Sequence, residues 1–193
     1  MSSDAQAVLD FWFGAEGSPE SGKSRPEWFR KDPAFDDSIR QRLGAQVDAA
    51  LAGGLRDWDS QAPSALARIL LLDQFTRNIF RDTPRAFAGD ALALAAARAM
   101  VAARQDATLP PLQRSFIYLP FEHAEDLAAQ DESVRLFAQL AAAAPELQQT
   151  LDYAHRHRDV IARFGRFPHR NKVLGRESTA EEIAFLQQPG SRF

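Results

Sequence analysis

Residues 65 to 80, ALARILLLDQFTRNIF, decide most of what this chain can become. The run is too long for an ordinary strand of 4–8 residues, and its apolar side chains point almost all round a helix. Such a helix has no face it can leave in water, so the other elements must surround it and it belongs at the centre of the fold. Arg68 and Asp73 interrupt it well before the roughly 20 apolar residues a membrane span needs.

The flanking sequence supplies the surround as further helices, and no segment alternates like a strand. Ser3 with Gln6 predicts a capping box for a first helix carrying Val8, Leu9, Trp12 and Phe13, which Gly14 stops. Residues 15 to 25 read as a loop. Asp32-Pro33 opens a helix with Phe35, Ile39, Leu43, Val47 and Leu51 at intervals of four. An Ala-rich helix follows from about Asp90 to Arg104, and Pro110-Pro111 open another that Pro120 is expected to kink or divide. ESVRLFAQLAAAA is the next helix. Pro145 starts a long one through Phe164 that Gly165 caps, and Ser178 with Glu181, or Thr179 with Glu182, caps the last. Eight or nine helices with short connections imply antiparallel hairpins in one all-α domain spanning 1–193.

The chain has no Cys, which excludes disulfides, thiolate catalysis and Cys-ligated zinc. Its N-terminus lacks the basic region of a secretory signal, so the expected location is cytoplasmic, with no membrane partner. A net charge of -3 opposes nucleic-acid binding, which requires an excess of Lys and Arg against phosphate. The charge is unevenly distributed. Residues 151 to 176 carry seven Lys/Arg and two Asp, and most of the basic residues in the chain are Arg, whose planar fork grips carboxylate or phosphate at two points.

Five strings, VLDFWFG, LLLDQFTRNIFR, YLPFEHAEDLAAQ, FGRFPHRNKVLGRES and the terminal FLQQPGSRF, occur in this order. In them the chain resembles the bacterial family catalogued as domain of unknown function 924. The resemblance implies an all-helical, tetratricopeptide-like fold of stacked helical pairs, and it implies no settled activity. A search for a 34-residue repeat finds no clear self-similarity.

Three polar groups are candidates for a site. The first is Asp73, Gln74, Arg77, Asn78 and Arg81, which spacings of four place on adjoining strips of the central helix. They line a pocket or pair internally. The second is PFEHAED, where Glu122, His123, Glu125 and Asp126 follow Pro120. Read as a helix's first turn, its acids answer the macrodipole; read as a site, Glu122 and Glu125 share a face and form an acid-base pair. The pattern EHxE matches neither HExxH nor the di-iron ExxH, so no metal is assigned and no cofactor is implied.

The third is the stretch 163 to 178 with the helix that feeds it. His157 falls in the core-facing stripe with Ala154, Ile161 and Phe164, while His155, Asp159 and Arg163 form a second row. Beyond Gly165 come Arg166, His169, Arg170, Asn171 and Arg176, held between Phe167-Pro168 and Gly175. Phe164 and Phe167 are expected to insert into the core and to fix the arginines in space. Those arginines either staple the C-terminal helices to carboxylates such as Asp73, Glu122 and Glu125, or present a rigid anion site to which the helix start at Ser178 adds donors.

Two functional readings follow, with a third beside them. A binding module would hold an anionic small molecule or a peptide carboxylate with Asp73, Arg77, Asn78, His123, Arg163, Arg166, His169, Arg170 and Asn171. A metal-independent hydrolase or lyase of an anionic substrate would use Glu122 or Glu125 as acid or base and His157 or His123 as proton carrier, although no nucleophile motif supports it. A structural or regulatory interaction protein would use a surface elsewhere, such as WFRKDPAF with Trp28 and Phe29.

Overall fold

The computed structural model describes residues 1–191; Arg192 and Phe193, which end the FLQQPGSRF string, lie outside the described residues. Among the described residues all regular structure is helical. The chain forms two compact units, one of Met1–Arg81 with Arg85–Pro120, the other of Asp82–Pro84 with the residues from Phe121 onward.

The first unit contains α1 (Ser3–Phe13), α2 (Pro33–Leu51), α3 (Ala62–Leu70), α4 (Thr76–Ile79), α5 (Asp90–Ala102) and most of α6 (Pro111–Glu122). A π-helical segment, Leu71–Phe75, joins α3 to α4 without a break. Every residue from Ser64 to Thr76 is buried, as the all-round apolar pattern requires. Elements α1 and α5 pack on α3, and α2 packs on α4 and the π segment. Trp12, fully buried, ties the unit together: its ring lies 5.1 Å from that of Phe75, 5.6 Å from Trp28 and 5.7 Å from Phe116. Burial of one such side chain contributes about 1.5–3 kcal/mol.

Gly89, just before α5, permits a very close backbone approach. A Cβ there would stand 2.1 Å from the carbonyl oxygen of Leu72, inside the π segment. The same oxygen accepts a hydrogen bond from Thr76 Oγ1 at 2.9 Å, so the wide turn is braced from within and pressed from outside.

In the second unit α7 (Leu127–Ala143) and α8 (Gln148–Phe164) form the most extensive helix pair, closed by the short turn at Pro145–Leu147. Leu136, Phe137 and Leu140 of α7 and Ala154, His157, Val160 and Ile161 of α8 are buried. Gly165 ends α8 in the left-handed region, φ 68°, where its N–H reaches the Ile161 carbonyl. After a 3-10 turn at Pro168–Arg170 comes α9 (Ala180–Leu186), capped by the reciprocal Thr179-Glu182 box.

Several expectations change. The first helix is capped by Ser2, whose Oγ accepts from the Ala5 N–H, and Gln6 instead bonds Asp10. Helix α6 runs through Pro120 to Glu122 undivided, because a proline in the last turn withholds a single N–H. PFEHAED therefore closes one helix rather than opening another. Glu122 stands at the negative end of α6, Glu125 lies in the connecting turn, and Asp126 alone plays the N-terminal role, accepting from Ala128 and Ala129. Glu122 and Glu125 share no helical face. Phe167 is fully buried and Phe164 partly so; Trp28 is anchored in the core while Phe29 is 71% exposed.

Candidate functional site

The α6–α7 turn is shaped by one side chain. Gln130 of α7 is fully buried, and its amide donates to the carbonyls of Glu122 at 2.6 Å and Ala124 at 2.8 Å, with Phe121 at 3.4 Å. Glu122 ends α6, and the last carbonyls of a helix lack partners within it. The arrangement fixes the backbone that bears Glu122, His123 and Glu125.

Glu125 is then held by the loop that follows α8. It accepts both terminal nitrogens of Arg176, at 2.6 and 2.9 Å, and the backbone N–H of Phe167 at 2.8 Å. Burial raises the Glu125 carboxyl, but the Arg176 bonds and the Phe167 N–H outweigh it and hold the group below the ordinary carboxylate range. Arg176 spends Nε on the Asn171 side-chain oxygen at 3.0 Å. Asn171, almost wholly buried, passes the connection on: its amide donates to Ser178 at 3.0 Å and to Glu182 at 3.2 Å.

Glu182 is the second node. It accepts Nε and Nη2 of Arg166 at 2.7 and 2.9 Å and the N–H of Thr179 at 2.8 Å. Arg166, then the Thr179 N–H and the Asn171 amide, press its carboxyl down to about 2 against the opposing effect of burial. The start of α9 thus satisfies its own donors through the capping box and through Glu182. Arg163 pairs with Glu181 at 2.7 Å on the surface.

Around Phe167 three of the four histidines gather. The His157 ring lies 5.5 Å from Phe167, edge to face, His169 lies 5.6 Å from Phe167, and His123 lies 6.3 Å from His157. The guanidinium of Arg170, itself buried, stacks over Phe167 at 4.5 Å. His157 Nδ1 faces the Tyr153 carbonyl at 2.9 Å and Glu122 Oε1 at 3.2 Å. Two acceptors there place the proton of the neutral ring on Nδ1. Burial, helped by the positive field of His123, Arg170 and His169, pushes His157 down to about 3, against the raising effect of the Tyr153 carbonyl. The contact with Glu122 is accordingly one between a carboxyl group and a neutral imidazole.

The central-helix candidates belong to the first unit and find carboxylates there. Arg77 grips Asp90 with both terminal nitrogens, at 2.9 and 3.1 Å, and stands 3.2 Å from Asp73, which is fully buried and also accepts from Gln74. Burial opposes the Arg77 charge, but Asp73 and Asp90 more than offset it and raise its affinity for the proton. Asn78 donates to Asp36 at 2.7 Å, and Arg81 completes the group with a second bidentate contact to Asp36.

Sequence reasoning gave Glu182 only a capping role and missed Asp36, Asp90 and Gln130, although an acid or amide among apolar helical residues is a type that could have been flagged. It also missed a cleft of about 590 Å³ in the first unit, bordered by Phe11, Phe35, Arg25 and Arg42. Among the described residues no cluster of three or more His, Asp or Glu side chains is placed to hold a metal, and no helix is long and apolar enough to cross a membrane.

The fold and sequence have a close counterpart in a protein of unknown function, ATU0120, from Agrobacterium tumefaciens. The two are 40% identical over 95% of this chain and 96% of that one, with a TM-score of 0.83. No curated protein matches the chain. The sequence pattern of the bacterial proteins of unknown function grouped as DUF924 matches residues 8–190. With that pattern spanning nearly the whole of its length, the chain belongs to this bacterial family, DUF924.

Proposed function

We propose that the protein is a cytoplasmic binding module of tetratricopeptide-like build that holds an anionic ligand, a small molecule or peptide carboxylate, on the loop from Arg163 to Arg176. The observation that carries this reading is a spare donor on a fixed guanidinium. Arg166 commits Nε and Nη2 to Glu182 and Nη2 also to the Glu177 carbonyl, leaving Nη1 outside these bonds on a side chain 30% exposed. A guanidinium already held by a carboxylate loses little conformational freedom when an anion arrives. His169, tilted against the Phe167 ring, and the Arg170 cation stacked over it add to the positive field of the loop. Asn171 and Arg176 act as positioning residues.

The protonation states favour binding over catalysis. A base drawn down to about 3, as His157 is, holds no proton near neutrality, and a carboxylate gripped as Glu125 is by Arg176 makes a weak base. Thermal-shift screening against di- and tricarboxylates, phosphates and peptides with free or amidated C-termini tests the reading. Anionic members should raise Tm, and Arg166→Lys, which keeps a charge opposite Glu182 but gives up the fork, should abolish the shift. If no anion raises Tm, or if the shifts persist in Arg166→Lys and Arg166→Ala, the reading fails.

A further inference from the structure

The cleft in the first unit has a composition that the loop site does not explain. At about 590 Å³ it lies within the range of small-molecule sites. Its wall is a stack of four flat groups contributed by three segments. Arg42 of α2 lies over the Phe11 ring at 4.8 Å, Phe11 of α1 stacks on Phe35 of α2 at 5.5 Å and 22°, and Arg25 from the intervening loop lies over Phe35 at 5.7 Å. Such a stack restricts both guanidinium groups to the plane of a ring face.

The two cations differ in what they are free to do. Arg25 turns inward and donates to the Phe11 carbonyl at 2.8 Å and the Trp12 carbonyl at 3.3 Å, capping the end of α1. Arg42 is exposed and, beyond the Phe11 ring, engages neither a carboxylate nor a carbonyl among the described residues. Two acids share the same cleft. Asp10 gives one oxygen to Gln6 at 2.6 Å, and Glu20 has no ion-pair partner among the described residues. Asp10 lies in the last turn of α1, where the macrodipole is negative and a positive ligand group is favoured. Ser18, another lining residue, has its Oγ buried without a hydrogen-bond partner among the described residues.

A cleft with a cation on one element and acids on others, none of them ion-paired among the described residues, suits a ligand that brings both charges. We infer that this cleft binds a small zwitterion of the size of an amino acid or dipeptide, its carboxylate on Arg42 and its ammonium between Asp10 and Glu20. A mono-anion would meet the two acids as well as Arg42, and a simple cation would meet Arg42 and Arg25. The zwitterion alone answers both signs. Its apolar side chain would lie along the edges of Phe11 and Phe35.

Isothermal titration of the full chain with a panel of amino acids and dipeptides, each alongside its N-acetylated and C-amidated analogue, tests this. Heat should be seen for uncapped members, and either cap should weaken binding about tenfold or more, the scale of a lost charge-assisted contact. Arg42→Ala and Asp10→Asn, both at solvent-accessible positions, should do the same, and amide NMR shifts on titration should centre on Phe11, Ser38 and Arg42. The inference is overturned if no uncapped member binds more tightly than about 1 mM, if capped analogues bind equally well, or if Arg42→Ala and Asp10→Asn both leave affinity unchanged. Arg166→Lys, which tests the loop site, should leave this binding intact, so the two assignments fail separately.

Discussion

Arg176 grips Glu125 across 51 residues of chain, with Nη1 and Nη2 on the two carboxylate oxygens at 2.6 and 2.9 Å, and the same guanidinium reaches Asn171 through Nε. All three of its nitrogens are engaged. The pair joins the α6–α7 turn to the loop after α8, and Asn171 extends the connection to Glu182, so that Glu125, Arg176, Asn171, Glu182 and Arg166 form one continuous polar chain.

Removal of one partner should therefore be felt well beyond the pair. Both side chains are one-quarter exposed, so the loss lies below that of a fully buried ion pair. Arg176→Ala should destabilise the protein by about 1–3 kcal/mol, and Arg176→Lys should recover only part because a point charge cannot serve Glu125 and Asn171 together. Urea melts of the two variants check this; equal stability of wild type and Arg176→Ala would contradict the network.

Glu182 makes the last helix acid-sensitive. Its carboxyl is lowered from 4.5 to about 2 in the folded protein, so the unfolded chain takes up the proton first. The associated stability is complete above about pH 4.5 and is lost as pH falls through 2. Amide exchange in Ala180–Leu186 should accelerate across that interval. In Glu182→Gln, exchange there should already be fast at neutral pH and should respond less to acid.

His157 behaves differently from a surface histidine. With its affinity for protons reduced from 6.5 to about 3 by burial, the folded state excludes a proton the unfolded state accepts. Its contribution is present above pH 6.5 and declines as pH falls towards 3. Imidazole NMR should show the His157 ring neutral, with the proton on Nδ1, throughout a titration from pH 8 to 5. A midpoint within that range would show that the ring is charged beside Glu122.

Gly89→Ala places a methyl 2.1 Å from a backbone oxygen in the centre of the first unit. Backbone cannot rotate aside as a side chain can, so a loss of about 3 kcal/mol, the upper part of the overpacking range, is expected. Differential scanning calorimetry should find Tm lowered by about 6–12 °C.

The parts of the molecule that were legible in its sequence are those set by short-range periodicity. Ile39, Leu43 and Val47 recur every four residues and are buried on α2, Gly165 ends α8, and Thr179 with Glu182 makes the box that opens α9. The α6–α7 turn was misread because Pro120 is a helix breaker by local rule, yet in the last turn it removes only one bond. The arginine partners were harder still. Arg77 does stand beside Asp73, as its spacing of four implies, but its bidentate partner is Asp90; of the loop arginines Arg176 meets Glu125, one of the expected carboxylates, whereas Arg166 meets Glu182, which was not among them. Charge identifies what must be paired, while the pairing itself is decided by which helices tertiary packing brings alongside. The cleft depends on Phe11, Arg25, Phe35 and Arg42 meeting from three segments, a proximity no local pattern encodes.

The π segment at Leu71–Phe75 acts as a phase setting for everything after it. A π turn holds one residue more than an α turn, and one residue of α-helix corresponds to about 100° of rotation. Wound as an ordinary α-helix with the same number of residues, the run would turn about 100° further. That would swing Arg77 and Asn78 away from Asp90 and Asp36, so the extra residue taken up by the wide turn, and not just the hydrophobicity of the run, is what the surrounding helices read.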